Sequence, residues 1–259
     1  MPHLLSAKEP KSFRMIREKR DRSFLFVCDH ASNKVPSILN HLGLPDSELG
    51  RHIGYDIGSA RVTEILANQL GAAAILQNYS RLVIDCNRFT DEPSLIPEVS
   101  DGTIIPANIN LSTQDKAARI AEIFDPYHEA IAGTLKRLEK NSPPVTVVAI
   151  HSFTPCLQQN GTQRPWQIGV LWRNDKESAH RLISFLQQHT TWAVGENEPY
   201  SMINDKSYTI NSHAEAKGRP GLLIEIRQDE ISTDVGQQRV AEVLCAFFDD
   251  WGKNPKCLR

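Results

Sequence analysis

The sequence lacks any uninterrupted apolar stretch long enough to span a bilayer, so a membrane-embedded protein is not expected. Residues 1–22 are polar and basic, with no apolar segment of the secretory kind, and the expected compartment is the cytoplasm. Cysteine is sparse: Cys28, Cys86, Cys156, Cys245 and Cys257 make an odd, scattered set of 5 with no CxxC pair. That excludes a disulfide framework and a thiolate zinc site, and it fits a reducing environment. No charge of one sign dominates. With a net charge of −2, the chain offers no broad field for nucleic acid or anionic lipid, so a small anionic ligand would have to be held by local arginines. There is no P-loop, GxGxxG, GxSxG elbow or HExxH, which removes the nucleotide, nucleophile-elbow and helical zinc-protease readings. Repeats, low-complexity tracts and linkers are also missing. One domain over residues 1–259 is expected, with 1–22 as a peripheral segment.

What is present alternates between strand-like and helix-like segments. Phe24 to Cys28, Val145 to Ile150 and Gly221 to Ile226 are continuous apolar runs, as expected of strands covered on both faces. Ala72 to Leu76, Arg81 to Cys86, Gln167 to Trp172 and Trp192 to Asn197 are further strand candidates. Helices are expected over Asp56 to Leu70, stopped by Gly71, and from Ser112 to Lys140, divided at Pro126 and followed by Pro143-Pro144. Two more run from Lys176 to His189 and from Val235 to Trp251. Asp91 to Leu111, rich in Pro, Asn, Asp, Ser and Gly, reads as a long loop of the kind that often closes over a binding site. The alternation predicts an α/β fold with a mostly parallel sheet, whose ligands bind at the carboxyl ends of the strands.

Chemistry-bearing residues recur at those ends. His30 follows the first apolar run and His151 follows Val145 to Ile150, so two imidazoles sit where a catalytic zinc could take two of its three protein ligands. Glu225, between Ile224 and Ile226, is a carboxylate on a buried strand; it needs a partner or serves as a general base. A structural pairing with Arg227 is the alternative for it. Asn87 and Arg88 suit a substrate carboxylate, since a guanidinium fork matches its geometry, although an ordinary turn closed by Asp85 would use the same residues. Asp56 is either a helix cap or the acidic metal ligand.

Together, Cys28-Asp-His-Ala-Ser-Asn-Lys-Val-Pro36, Gly54-Tyr-Asp-Ile-Gly58, Tyr79-Ser-Arg-Leu-Val-Ile-Asp-Cys-Asn-Arg88 and Glu225-Ile-Arg-Gln-Asp229 resemble the N-formylglutamate amidohydrolase family. The likeness runs from about Phe24 to Ile231. More distantly, the order of these segments is similar to carboxypeptidase A-like zinc hydrolases and aspartoacylases. Ile150-His-Ser-Phe153 resembles their last zinc histidine segment, Ile224-Glu-Ile-Arg227 their catalytic glutamate strand, and Asp85-Cys-Asn-Arg-Phe89 their carboxylate-gripping motif. The resemblance implies a single-domain α/β fold of the zinc-exopeptidase (phosphorylase/hydrolase-like) kind, with a mixed, mostly parallel sheet flanked by helices. It also implies one zinc ion held by His30, His151 and a third ligand.

Those relatives use His-x-x-Glu for their first two ligands, and here the fourth position is Asn33. Either Asp56 replaces the glutamate, Asn33 ligates weakly, or metal is held loosely; Asp56 is the expectation taken forward. The implied activity is removal of the N-formyl or another small acyl group from an acidic amino acid, with Glu225 as the catalytic base. Asn87, Arg88, Arg227 and His213 are the expected substrate contacts, and Arg81, Arg219 and Tyr208 are further donors. The rivals are a carboxypeptidase-like or other N-acyl amino acid deacylase, and a metal-free protein that binds acidic ligands without turnover.

Overall fold

A computed structural model describes residues 3–20, 22–141, 144–159, 161–203 and 207–251. Its centre is built from apolar runs: β2 (Phe24–Cys28), β3 (Ala73–Gln77), β6 (Thr146–Phe153) and β9 (Gly221–Arg227) are buried along almost their whole length. With β1 (Phe13–Ile16), β7 (Ile168–Leu171) and β8 (Val194–Glu196) they form a sheet in the order β1-β3-β2-β6-β9-β7-β8. The middle strands β3, β2, β6 and β9 are parallel, β1 and β7 run against their neighbours β3 and β9, and β8 is parallel to β7. The fold is thus α/β with a mixed, mostly parallel sheet. The basic N-terminal segment, expected to be peripheral, supplies the edge strand β1. A two-stranded hairpin, β4 (Val99–Ser100) with β5 (Thr103–Ile104), stands apart.

Strand alternation sorts the core into two layers. Leu25, Val27, Ala73, Ile75, Val147, Ala149 and Leu223 share one cluster with Ile123, Tyr127, Ile131 and Leu135. These last residues belong to the π-turn Ile120–Phe124 and to α4 (Asp125–Leu138), which follow α3 (Thr113–Arg119). Phe26, Cys28, Val148, Ile150, Leu222 and Ile224 point the other way, against α2 (Ser59–Leu70), α5 (Lys176–His189) and α7 (Asp234–Trp251). Two short helices, α1 (Asp46–Leu49) and α6 (Tyr208–His213), complete the elements. Ser112 caps α3 by accepting from the Asp115 amide, and Pro126 sits in the first turn of α4, so the long helical stretch is divided as its sequence predicts.

Three expectations need correction. Arg81 to Cys86 is a succession of turns, not a strand. Its backbone is satisfied without a ladder: Asn108 Nδ2 donates to the Leu82 carbonyl, Arg119 to that of Val83, and the Asp85 amide to that of Leu95. The helix begins at Ser59, not Asp56, because Gly58 holds φ +82° just before it. A side chain at Gly58 would also meet the Ile231 carbonyl oxygen at 2.2 Å. The stretch 91–111, read as a structureless loop, carries the β4–β5 hairpin and two 3₁₀ turns, Pro93–Leu95 and Pro106–Asn108. Of the expected helix-ending pair Pro143-Pro144, Pro143 lies outside the described residues. Among those residues, no helix is long and apolar enough to cross a membrane.

Candidate metal and catalytic centre

The alternation that builds the core also aims the site. On β6, Val147 and Ala149 face the α4 layer, and His151 continues that row; on β9, Leu223 leads to Glu225 in the same way. His151 and Glu225 are register partners on adjacent parallel strands, so their side chains stand side by side. Asp29 extends the Leu25–Val27 row one residue past β2, and its carboxylate takes the His151 Nε2–H at 3.0 Å. His30 lies in the following turn, and its main-chain carbonyl accepts from the Asp56 amide at 2.9 Å. Asp56 itself is set between two close backbone approaches. A Cβ at Gly54 would lie 2.3 Å from the Leu49 oxygen, and Gly58 is crowded as described above.

Three ligand atoms converge. His30 Nδ1 lies 3.3 Å and His151 Nδ1 2.8 Å from Asp56 Oδ2, and the set lies within 4.8 Å throughout. Each imidazole is fixed by a carboxylate on its other nitrogen: Asp85 Oδ1 at 2.6 Å from His30 Nε2, and Asp29 Oδ2 on His151. Because each Nε2–H donates outward, each neutral ring turns a bare Nδ1 lone pair toward the Asp56 carboxylate. Three acceptors facing one point repel one another unless positive charge lies between them. Protons on both rings would supply it, and so would one divalent cation. The donor set, two imidazoles oriented by carboxylates plus an aspartate, is one that zinc accepts.

The electrostatics follow from that crowding. Burial works against charge on both imidazoles, but the neighbouring carboxylates prevail; His30 is raised above the ordinary histidine range and His151 well above it. Burial likewise pushes the Asp29 and Asp85 carboxyls up. Hydrogen bonding from His151 overcomes it for Asp29, and the Arg81 guanidinium 2.6 Å from Asp85 does so there, leaving both below the carboxylate range. Asp56, between the two rings, is lowered in the same way. Glu225 behaves oppositely. Burial raises it to about 7, and its Oε2 has no hydrogen-bond partner.

A cavity of about 520 Å³ opens on these groups. His30, Asp56, His151 and Glu225 line it, as do Arg81, Asn87 and Arg88; Tyr200 and Ser207 also face it, with Glu92 and Ser94 from the 91–111 stretch. Among the described residues, no carboxylate lies within ion-pairing distance of the Arg88 guanidinium, whose one contact is the Asn87 carbonyl at 3.3 Å. Asn87 is buried, and its Oδ1 accepts from Ser207 Oγ at 2.8 Å and the Thr209 amide at 3.1 Å.

The other sequence candidates sit elsewhere. Arg227 does not line the cavity: its guanidinium pairs with Asp229 and Glu230 and donates to the Arg164 and Pro165 carbonyls. His213 lies outside the cavity lining too, its Nε2 3.0 Å from His128 Nδ1. Arg219 pairs with Glu139, and the Tyr208 ring packs on Phe89, Phe124 and His128. Asn33 lines a separate cavity with Glu9, Lys34 and Tyr79, away from the two histidines. Two supports are absent from the sequence expectations: Asp29 for His151, and Asp85, expected in a turn or a carboxylate-gripping segment, for His30. The continuation of the Leu25–Val27 row onto an acid was the available signal for Asp29. Tyr200, Ser207 and Thr209 carried none.

The sequence profile of the N-formylglutamate amidohydrolase family matches residues 22–232. The chain belongs to this family. Over 83 residues it is 30% identical to an N-formylglutamate deformylase of Pseudomonas aeruginosa, a match that spans 28% of this chain and 31% of that protein. The fold is similar to that of a gene product of Agrobacterium tumefaciens of known crystal structure: TM-score 0.90, 30% identity, 96% of this chain and 97% of the other covered. It is also similar to an N-formylglutamate amidohydrolase from Ralstonia eutropha, with TM-score 0.76 and 18% identity over 94% of this chain and 98% of that one. At that identity the second likeness speaks for the fold alone. Family membership makes this a hydrolase whose buried His30–Asp56–His151 group can hold a metal ion.

Proposed function

We propose that the protein is a zinc-dependent amidohydrolase that removes the N-formyl group from an acidic amino acid, converting N-formyl-L-glutamate and water to glutamate and formate. The observation that carries this reading is the meeting, in one cavity, of three inward-facing acceptor atoms, a Glu225 oxygen without a hydrogen bond and an arginine with no carboxylate partner among the described residues. His30, His151 and Asp56 would hold the ion, which when bound supplies Lewis acidity toward the amide carbonyl and the attacking water.

Glu225, raised to about 7, can take the proton of the attacking water and return it to the leaving nitrogen at neutral pH. Its burial keeps the proton between those two atoms instead of losing it to solvent. Arg88 and the Asn87 amide bind a substrate carboxylate, as a guanidinium beside an oriented donor can. Arg81, held to Asp85 and 3.5 Å from Asp56, keeps positive charge at the cavity wall where negative charge develops on the amide oxygen.

The test is formate release by zinc-loaded protein from N-formyl-L-glutamate and from a neutral N-formyl amino acid. The proposal expects turnover of the first with the larger kcat/KM. Zinc-loaded, folded protein that releases formate from neither would overturn it.

A further inference from the structure

The contacts around the centre close into a ring. His30 Nδ1 meets Asp56 Oδ2 at 3.3 Å, and the same oxygen meets His151 Nδ1 at 2.8 Å. His151 Nε2 donates to Asp29 Oδ2 at 3.0 Å, and Asp29 Oδ1 accepts from the Thr209 hydroxyl at 2.7 Å. The Thr209 main-chain N–H donates to Asn87 Oδ1 at 3.1 Å, and the Asn87 main-chain N–H donates to Asp85 Oδ1 at 2.9 Å. Asp85 Oδ1 then accepts from His30 Nε2 at 2.6 Å, which returns the path to its start. Every member is buried, and Thr209 is fully enclosed.

Thr209 is the only residue of this ring that lies outside the segments singled out from the sequence. Its two donors point to two different tasks. Its hydroxyl supports the carboxylate that orients His151, and its main-chain N–H helps fix the amide of Asn87. Ser207 Oγ adds a second donor to Asn87 Oδ1, and the Tyr208 amide donates to the Asn87 carbonyl at 3.3 Å. With Oδ1 taken twice by protein donors, the Asn87 amide is locked so that Nδ2, a donor, is the end left for a ligand acceptor.

We infer that Ser207 and Thr209 are positioning residues that join the carboxylate grip to the metal ligands: Ser207 sets the Asn87 amide, and Thr209 closes the ring by setting both Asn87 and the Asp29–His151 pair. This rests on the function proposed above for its kinetic consequences, but its geometric core does not. Thr209→Val keeps the shape and the backbone donor to Asn87 and removes one of the two hydroxyl donors to Asp29 Oδ1, the other being Tyr127 at 2.8 Å. Thr209→Ser restores that donor. Ser207→Ala removes the side-chain donor to Asn87 and the cap on the Ile210 N–H at the start of α6, and it keeps the Thr209 hydroxyl that donates to Asp29.

Two readouts separate the outcomes. The first is the downfield proton NMR signal of the His151 Nε2–H in chelator-treated protein, identified by its loss in His151→Gln. The inference expects that signal to shift or to exchange faster in Thr209→Val, to return in Thr209→Ser, and to be unmoved in Ser207→Ala. The second is steady-state kinetics on N-formyl-L-glutamate. Thr209→Val is expected to lower kcat and zinc affinity about 10- to 100-fold, the usual cost of losing an outer support of a metal ligand. Ser207→Ala is expected to raise KM about 10-fold with kcat nearly unchanged, the size of one lost hydrogen bond. An unaltered His151 signal in folded Thr209→Val would overturn the inference, whether or not the protein proves to release formate. Absence of formate release together with the expected NMR changes would count against the substrate assignment and sustain the positioning role.

Discussion

Glu225 and Arg88 stand in contrasting surroundings, and the proposed function gives them different tasks. Glu225 is buried with a free oxygen and raised to about 7, so it can exchange a proton near neutrality; Arg88 lacks a carboxylate partner among the described residues. Glu225→Gln should therefore lower kcat by roughly 10²- to 10⁴-fold, the usual worth of a general base, while zinc content stays at the wild-type level. Loss of metal along with activity would make Glu225 a ligand instead. Arg88→Ala should raise KM for N-formyl-L-glutamate by about 10- to 100-fold, as expected for a hydrogen bond to a charged group. A much smaller rise for a neutral N-formyl amino acid would mean that Arg88 reads the side-chain carboxylate, whereas an equal rise would place it on the shared α-carboxylate. At this scale the sequence was legible where a chemistry-bearing residue follows or interrupts the end of an apolar run: His30, His151 and Glu225 all do so, and all line the cavity. It was not legible for Arg227 and Arg219, because what neutralises an arginine is decided by side chains such as Asp229 and Glu139 that only the fold brings near.

Between the residues and the sheet lie helices that hold the site in place, and α4 and α6 are joined by a pair of histidines. His128 Nε2 lies 2.9 Å from the Cys86 carbonyl and must donate to it, so its Nδ1 is the acceptor of the His213 Nε2–H. That chain of donors requires His128 neutral, and a neutral His213 completes it without placing charge in the pair. Burial enforces this, lowering His128 to about 3 and His213 to about 4. Unfolded histidines have a pKa near 6.5, so between that pH and about 4 the unfolded chain binds protons that the native pair refuses. Stability contributed by the pair is thus full above the unfolded value and falls as the solution is acidified, by about 1.4 kcal/mol per pH unit per histidine. Urea unfolding from pH 7 to 4.5 should show this slope in wild type and a shallower one in a His128→Gln, His213→Gln variant. Equal slopes would remove the pair from the acid response. Helices such as Lys176–His189 were readable from periodicity alone. The turns of 81–86 were not, since their apolar residues resemble a strand until Arg119 and Asn108 are seen to satisfy the carbonyls.

For the whole molecule, parallel strands β2, β6 and β9 bring His30, His151 and Glu225 to one edge of the sheet. That much follows from apolar runs of similar length ending in polar residues. The antiparallel strands β1 and β7 do not follow, because strand direction is settled by connections and partners, not by composition. The same edge concentrates Asp29, Asp56 and Asp85 in a buried volume, and under the proposed function an ion held by His30, Asp56 and His151 would offset part of that charge. Zinc at a thousandfold excess over its dissociation constant should stabilise the native state by about 4 kcal/mol. Removing it with a chelator should then lower Tm by on the order of 10 °C in a chain of this size, reversibly on adding zinc back. An unchanged Tm would mean that protons on the two imidazoles already balance the site.

In the proposed centre the lone pairs of His30 Nδ1 and His151 Nδ1 and the Asp56 carboxylate would share one divalent ion. The most direct test of this claim is elemental analysis of protein purified without chelators, beside His151→Ala prepared identically. Near-stoichiometric zinc in the wild type, absent from the variant, is the expected result. A wild-type protein that holds no metal even after zinc is added back would contradict the claim.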